Sequence, residues 1–304
     1  MLYVKKMLFS TGLLDELSTT PSIACISTSR PIYLVFDQKS EYPVYVVRNM
    51  DDPTALYSHK VHDHLYRLVY DLVPEPIGVY AFSGKEYDIQ KGVEGSPWFQ
   101  LKSKIRTAEE RARLEKRMWQ TLCDFQAGIY AGSTSEARQI KPHEELLKAY
   151  SLYQDTGEVP SLELKKIFEQ AVNDLLVFPD CLSIPQHGDF CLNNLIIDTD
   201  HITVIDFEDF DITQMPMYDH FTLALSLPSL GEEPKDAASV FSNANIIEEA
   251  NLLDIPNNLI NWHFLHHLLL RLGPWSTGEK RKPYRYWLKQ VLDCFLEDQG
   301  KGLV

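Results

Sequence analysis

The sequence contains no apolar run near the roughly 20 residues that a membrane-spanning helix needs. The opening residues Met1 to Ser10 include a short apolar patch but not the layout of a signal peptide. Cysteine is sparse and scattered: Cys25, Cys123, Cys181, Cys191 and Cys294 form no C-x-x-C pair. That pattern argues against a disulfide framework and predicts reduced thiols in a cytoplasmic protein. Basic residues are in deficit, 29 Lys and Arg against 43 Asp and Glu, for a formal charge of −14. A chain of this charge repels nucleic acid and anionic membranes, so neither is an expected partner. The acidic surplus serves solubility first; it would also favour a cationic substrate such as an amino sugar or amino alcohol.

What is present is an ordinary globular composition, 44% hydrophobic and 11% aromatic. With 304 residues the chain is long enough for two lobes or one large domain. No feature assigns an oligomeric state. The rest is organised around residues 184–211. Leu195–Asp198 and Ile202–Asp206 are short runs rich in Ile, Val and Thr, separated by Asp198-Thr199-Asp200, and they read as a β-hairpin. Asn194 enters one strand and Asp206 leaves the other, so the two side chains are expected at the same open end. Asp189 precedes them on a loop that Gly188 allows to bend. Two carboxylates and an amide oxygen form a hard ligand set suited to Mg2+, and Asp189 can instead accept the proton of an attacking hydroxyl. Phosphoryl transfer needs little more than a positioned base, metal ligands and donors around the phosphate.

His187-Gly188-Asp189…Asn194 followed by Ile205-Asp206-Phe207-Glu208 resembles the aminoglycoside phosphotransferase and choline kinase-like family. The resemblance implies an α+β, protein-kinase-like two-lobe fold. A β-rich N-lobe over 1–94 would bind nucleotide, and a mainly helical C-lobe over 95–304 would carry the catalytic loop and the acceptor site. It implies transfer of the γ-phosphate of ATP or GTP to a small-molecule hydroxyl. Asp189 would be the base with His187 beside it in the catalytic loop, Asn194 and Asp206 would hold Mg2+, and Asp219 would support the loop. A catalytically silent kinase-like scaffold is the alternative. A protein kinase fits poorly, since no A-P-E segment follows Asp206.

Along the N-terminal part, residues 1–20 read as a short amphipathic helix. Ser22–Ser27, Pro31–Asp37 and Pro43–Arg48 read as strands. The family covers the nucleotide phosphates with a turn between the first two strands and commonly places glycine there. Here the turn is Ser27-Thr28-Ser29-Arg30-Pro31, glycine-free, either a plain β-turn or a clamp donating from Ser29 and Arg30. Arg48 stands where the family usually has the phosphate-pairing lysine. A helix from Asp51 to about Leu72 offers Leu56, Leu65, Leu68 and Val69 for burial and lacks the family's glutamate, with His62 and Asp63 the nearby candidates, each read as a surface charge. Ile77–Phe82 and Glu86–Val93 read as a second hairpin. The segment through Lys91-Gly92-Val93-Glu94-Gly95 resembles the family's hinge, which would place Gln90, Lys91 and Val93 at the base of the nucleotide.

From Thr107 the chain reads as helical. Thr107 and Glu110 form a capping-box pattern, and Leu114, Met118, Leu122, Phe125 and Ile129 lie on one face. Residues 142–154 and 161–178 read as core helices, and the last ninety residues as helical and aromatic. Trp262-His263-Phe264-Leu265-His266-His267 lacks the companions of a metal site, leaving surface, core or acceptor-pocket wall as its roles.

Overall fold

The computed structural model describes residues 2–15, 20–26, 31–38, 40–51, 53–132 and 139–301. In chain order, α1 (Leu2–Ser10) precedes strands β1 (Ser22–Cys25), β2 (Ile32–Phe36) and β3 (Tyr45–Asn49). Next come α2 (Pro53–Leu68), the hairpin β4 (Pro76–Phe82) and β5 (Lys85–Lys91), β6 (Ser96–Pro97), α3 (Trp98–Leu101) and α4 (Ala108–Gly132). The chain goes on through β7 (Gln139–Ile140), α5 (Pro142–Gln154), α6 (Leu162–Leu176), β8 (Cys181–Leu182), β9 (Leu195–Ile197) and β10 (Ile202–Val204). Helices α7 (Tyr218–Ser226), α8 (Pro234–Ala237), α9 (Ala244–Leu252), α10 (Ile260–Arg271) and α11 (Lys282–Lys301) complete it. Among the described residues no helix is long and apolar enough to cross a membrane.

These elements pack as two compact units, Met1–Gly132 with Leu192–Phe210, and Ser133–Cys191 with Asp211–Val304. In the first, an antiparallel sheet runs in the order β1-β2-β3-β5-β4. Val35, Val47, Tyr87 and Ile89 of that sheet bury against Val4, Met7 and Leu8 of α1. The three α1 residues recur at helical spacing, so one face of a nine-residue helix closes the core. Helix α2 buries Ala55, Ser58, His62 and Leu65, and Val69 just beyond its end continues the same face, the five recurring every three or four residues. Leu56 lies one position off that face and is exposed, contrary to the expectation of burial. The capping box forms: Glu110 N–H donates to Thr107 Oγ1 at 3.1 Å, and Thr107 N–H to Glu110 Oε2 at 3.0 Å. Met118, Leu122, Phe125 and Ile129 of α4 are buried.

A second sheet of this unit, ordered β10-β9-β6, contains the central hairpin. Asp198 N–H donates to His201 O at 2.9 Å across its turn. Gly95 has φ 120°, and a Cβ there would lie 2.8 Å from the Ile197 carbonyl. Glycine therefore lets the chain pass close enough for β6 to pair with β9.

The second unit is helical. Helix α10 packs on α5 and α7, and α11 on α6 and α8. Trp262 Nε1–H donates to Asp174 Oδ2 at 3.0 Å, which fixes α10 against α6 through a buried indole.

Candidate active site

The first unit encloses a cavity of about 1330 Å³ lined by β2, β3, β5, α2, the 93–104 segment and residues 193–208. Arg48 reaches it because β3 pairs with β5 in a register that sets Arg48 opposite Asp88. Directly opposed residues of an antiparallel pair project from the same face, and both line the cavity. Arg48 Nη1 donates to Ser58 Oγ on α2 at 3.2 Å. Asp88, only 4% exposed, meets His59 Nδ1 at 2.9 Å. Helix α2 thus gives Arg48 a neutral hydroxyl, while the acid facing it comes from β5. His62 is not the surface charge the sequence implied. It is buried, its Nε2 lies 2.7 Å from the Pro74 carbonyl, and burial lowers its pKa, so a neutral ring donates there. Asp63, by contrast, is on the surface and pairs with Arg67 one turn along α2.

Asn194 and Asp206 both line this cavity, as does Glu208. Asn194 ends a short 3₁₀ turn, Leu192–Asn194, and its carbonyl accepts from Ile205 N–H at 3.0 Å, which draws the hairpin ends together. Asp206 sits at φ 68°, the left-handed region that an L residue occupies at a cost and Asp tolerates better than most. Phe207 is buried beside the His62 ring, with centroids 5.4 Å apart. The three cavity side chains offer oxygen donors, Asn194 through its amide oxygen, and this set fits Mg2+ better than a softer metal. Gln90 and Val93 also line the cavity. Lys91 is not among the lining residues. Its amide donates to Glu75 O at 2.8 Å, and its ammonium meets the Glu75 carboxylate at 3.4 Å. Ser29 and Arg30 lie outside the described residues.

His187 and Asp189 belong to the second unit. Gly188, at φ 84°, turns the loop back on itself. Asp219 at the start of α7 accepts His187 N–H at 2.6 Å on Oδ2 and Gly188 N–H at 3.0 Å on Oδ1. Its own amide donates to Gln186 Oε1 at 3.0 Å. Burial pushes the Asp219 carboxyl up to about 7, against the two backbone donors and the charge of Arg271, which favour the ionised form. His187 is fully buried, and its Nδ1 accepts Asp189 N–H at 3.3 Å, so the ring proton sits on Nε2. Asp189 keeps a side chain 23% exposed, with Arg271 Nη2 donating to its Oδ1 at 2.5 Å. His263, His266 and His267 lie in the core of this unit. Burial holds His263 at about 4 and His266 at about 3, and His263 Nδ1 lies 3.3 Å from Pro216 O.

Sequence reasoning missed Ser58, Asp88 and Arg271. Asp88 had one signal, an acid in an alternating strand, but its partner depends on β3–β5 register. Arg271 reads as an ordinary cation closing a helix of leucines.

The sequence matches the model of the Phosphotransferase enzyme family over residues 28–238. No curated protein matches it. Three similar solved structures span nearly the whole chain. A thermostable mutant of aminoglycoside phosphotransferase APH(4)-Ia, apo form, is 14% identical; the match covers 97% of this chain and 98% of that one, with a TM-score of 0.59. Choline kinase from Cryptosporidium parvum Iowa II is 14% identical over 99% and 95% of the two chains, at 0.54. A glucosamine kinase in complex with glucosamine, ADP and inorganic phosphate is 11% identical over 93% and 83%, also at 0.54. At these identities the likeness establishes the fold: α+β, protein-kinase-like and two-lobed, with a β-rich N-lobe and a mainly helical C-lobe.

Proposed function

The chain belongs to the phosphotransferase enzyme family, and from that premise we propose that it moves the γ-phosphate of ATP or GTP to a small-molecule hydroxyl. Amino sugars, sugars and amino alcohols are the acceptor classes. The observation that carries this reading is the cavity lined together by Arg48, Gln90, Asn194 and Asp206. It offers a cation for phosphate oxygens and an oxygen-only set for a metal. The similar structures named for aminoglycoside, choline and glucosamine as acceptors, one of them with ADP bound, support both halves of the reaction.

Asn194 and Asp206 would hold Mg2+, with Glu208 behind them; the ion when bound neutralises charge on the phosphates. Arg48 grips phosphate oxygens from the end of β3, and its hydrogen bond to Ser58 limits where it can swing. Gln90 and Val93 face the base, and Ser29 and Arg30 remain candidates for the phosphate turn. Lys91 would act only through its backbone carbonyl, since its amide is already engaged. Asp189 receives the acceptor's proton, and His187 shapes the loop that presents it. In this proposal residues 1–94 form the nucleotide lobe and 95–304 the catalytic and acceptor lobe.

In a loose transition state the nucleophile is little deprotonated, so the base mainly orients the hydroxyl and collects its proton late. Asp189→Asn keeps size and hydrogen bonding but cannot take that proton. Transfer should fall by about 10²–10⁴-fold, with nucleotide affinity nearly unchanged. A screen of hydroxylated acceptors, amino sugars and amino alcohols first, supplies the activity; an undiminished variant removes Asp189 from catalysis.

A second reading, a silent kinase-like scaffold, is favoured by Arg48 in the lysine position with a serine where the helix acid would stand. Thermal-shift titration with ATP and GTP, with and without Mg2+, separates the two. A folded state that binds nucleotide is stabilised by it, and a silent one is not.

A further inference from the structure

Arg271 closes α10 with 2% of its surface exposed. Taking a guanidinium out of water is costly, and a buried ion pair is often no more stabilising than an apolar pair of the same volume. Stability alone therefore does not account for an arginine here. Its surroundings do not satisfy it as a structural group either, because among the described residues Nε and Nη1 are buried without a hydrogen-bond partner. Its guanidinium carbon sits 4.0 Å from the Trp275 ring centroid and 5.7 Å from that of Tyr218. The rings hold the cation in place through cation–π attraction. One donor, Nη2, is engaged with a carboxylate, and that carboxylate is Asp189.

The loop bearing Asp189 is thus held twice. Asp219 fixes its main chain through the amides of His187 and Gly188. That clamp acts on main-chain amides and leaves the Asp189 side chain, 23% exposed, to be oriented through its own contacts. Arg271 supplies such a contact from a position that is itself packed and rigid. We infer that Arg271 is a positioning residue for Asp189, an arginine–aromatic clamp that fixes the carboxylate in the orientation from which it meets the acceptor hydroxyl. This inference rests on the phosphotransfer reading, in which Asp189 is the base.

The test is a double-mutant cycle on the full chain, read in two assays: phosphate transfer to an acceptor, and slow ATP hydrolysis with water as the acceptor. Arg271→Met preserves volume and removes the charge. It should lower kcat by about 10²-fold, the size expected for a misplaced catalytic group, in both assays, with the KM for nucleotide unchanged. In the Asp189→Asn background the same change should cost nothing further, because a residue acting through Asp189 has nothing left to position. Arg271→Lys keeps the charge but not the planar fork, and should fall between parent and Arg271→Met. If Arg271→Met does not fold, the cycle is read with Arg271→Lys, whose loss should likewise vanish in the Asp189→Asn background. An equal loss with and without Asp189 overturns the inference in favour of a structural role, and so does an undiminished kcat. A parent inactive in both assays overturns the phosphotransfer reading and the inference with it.

Discussion

Asp206 combines a left-handed backbone, at φ 68°, with a place in the wall of the first unit's cavity. A strained residue persists only where its surroundings over-determine it, and such residues cluster at functional sites. Asp206→Ala should therefore remove the Mg2+-dependent part of nucleotide binding while leaving the fold intact. Glu208→Gln should cost less, since Glu208 stands two residues on and the glutamine retains one side-chain carbonyl oxygen. Thermal shift with ATP, with and without Mg2+, reads both; an Asp206→Ala protein with the parent's Mg2+-dependent shift ends the metal assignment. At this scale the sequence was legible where chemistry and spacing coincide. Asn194 and Asp206 sit at fixed offsets around a short hairpin, and Asp219 lies in a recognisable segment. Arg271 was illegible because its partner Asp189 is 82 residues away, and no local pattern marks an arginine that will be buried.

Among the elements, α4 announced itself through a capping box and a continuous apolar face, both local properties. Helix α10 did not reveal its surroundings, because histidines at helical spacing suit a wet face as well as a core. Their burial has a measurable consequence. The imidazoles of His220, His263 and His266 are pushed down to about 3, 4 and 3 by burial, from the ordinary 6.5. Below pH 6.5 the unfolded chain binds protons at these sites that the native chain refuses until about pH 4. The stability they represent is therefore present above pH 6.5 and lost as pH falls. Each contributes a slope of up to about 1.4 kcal/mol per pH unit in that window. Asp219 works in the opposite sense, since its carboxyl is raised by burial to about 7 and keeps a proton that the unfolded chain releases. That is one opposing proton against these three, and His62 and His267, which burial also lowers, add to the histidine side. Urea unfolding should accordingly show stability falling between pH 7 and pH 5. His266→Leu should flatten the slope by about one proton; an unaltered slope would mean that His266 does not stay neutral in the native state.

At the scale of the whole molecule, Gly-Ser-Pro punctuation around residue 95 was readable, and so was the change from strand-rich to helical sequence. What eluded a local reading is pairing at a distance. The two-residue strand β6 finds its partner in β9, about a hundred residues on, and the first compact unit recruits Leu192–Phe210 by the same means. The proposed lobe division at 94/95 is a functional one, and trypsin can test it with an internal control. Lys102, Lys104 and Arg106 lie on an exposed stretch ahead of the Thr107 cap, while Arg111, Arg113 and Lys116 are as exposed but lie within α4. The two sets share cleavage chemistry and exposure and differ in backbone structure. Residues 102–106 carry only local turn and cap hydrogen bonds, such as Lys104 N–H to Leu101 O at 2.7 Å, while 111–116 sit in the continuous ladder of α4. A short turn opens for a protease more readily than a long helix. If the chain changes lobes through this segment, the first cuts should fall at 102–106 and leave α4 intact in the larger fragment. Mass spectrometry of a short digest assigns them. First cuts inside 111–117, or confined to loops elsewhere in the chain, would remove the support for a boundary at residue 95.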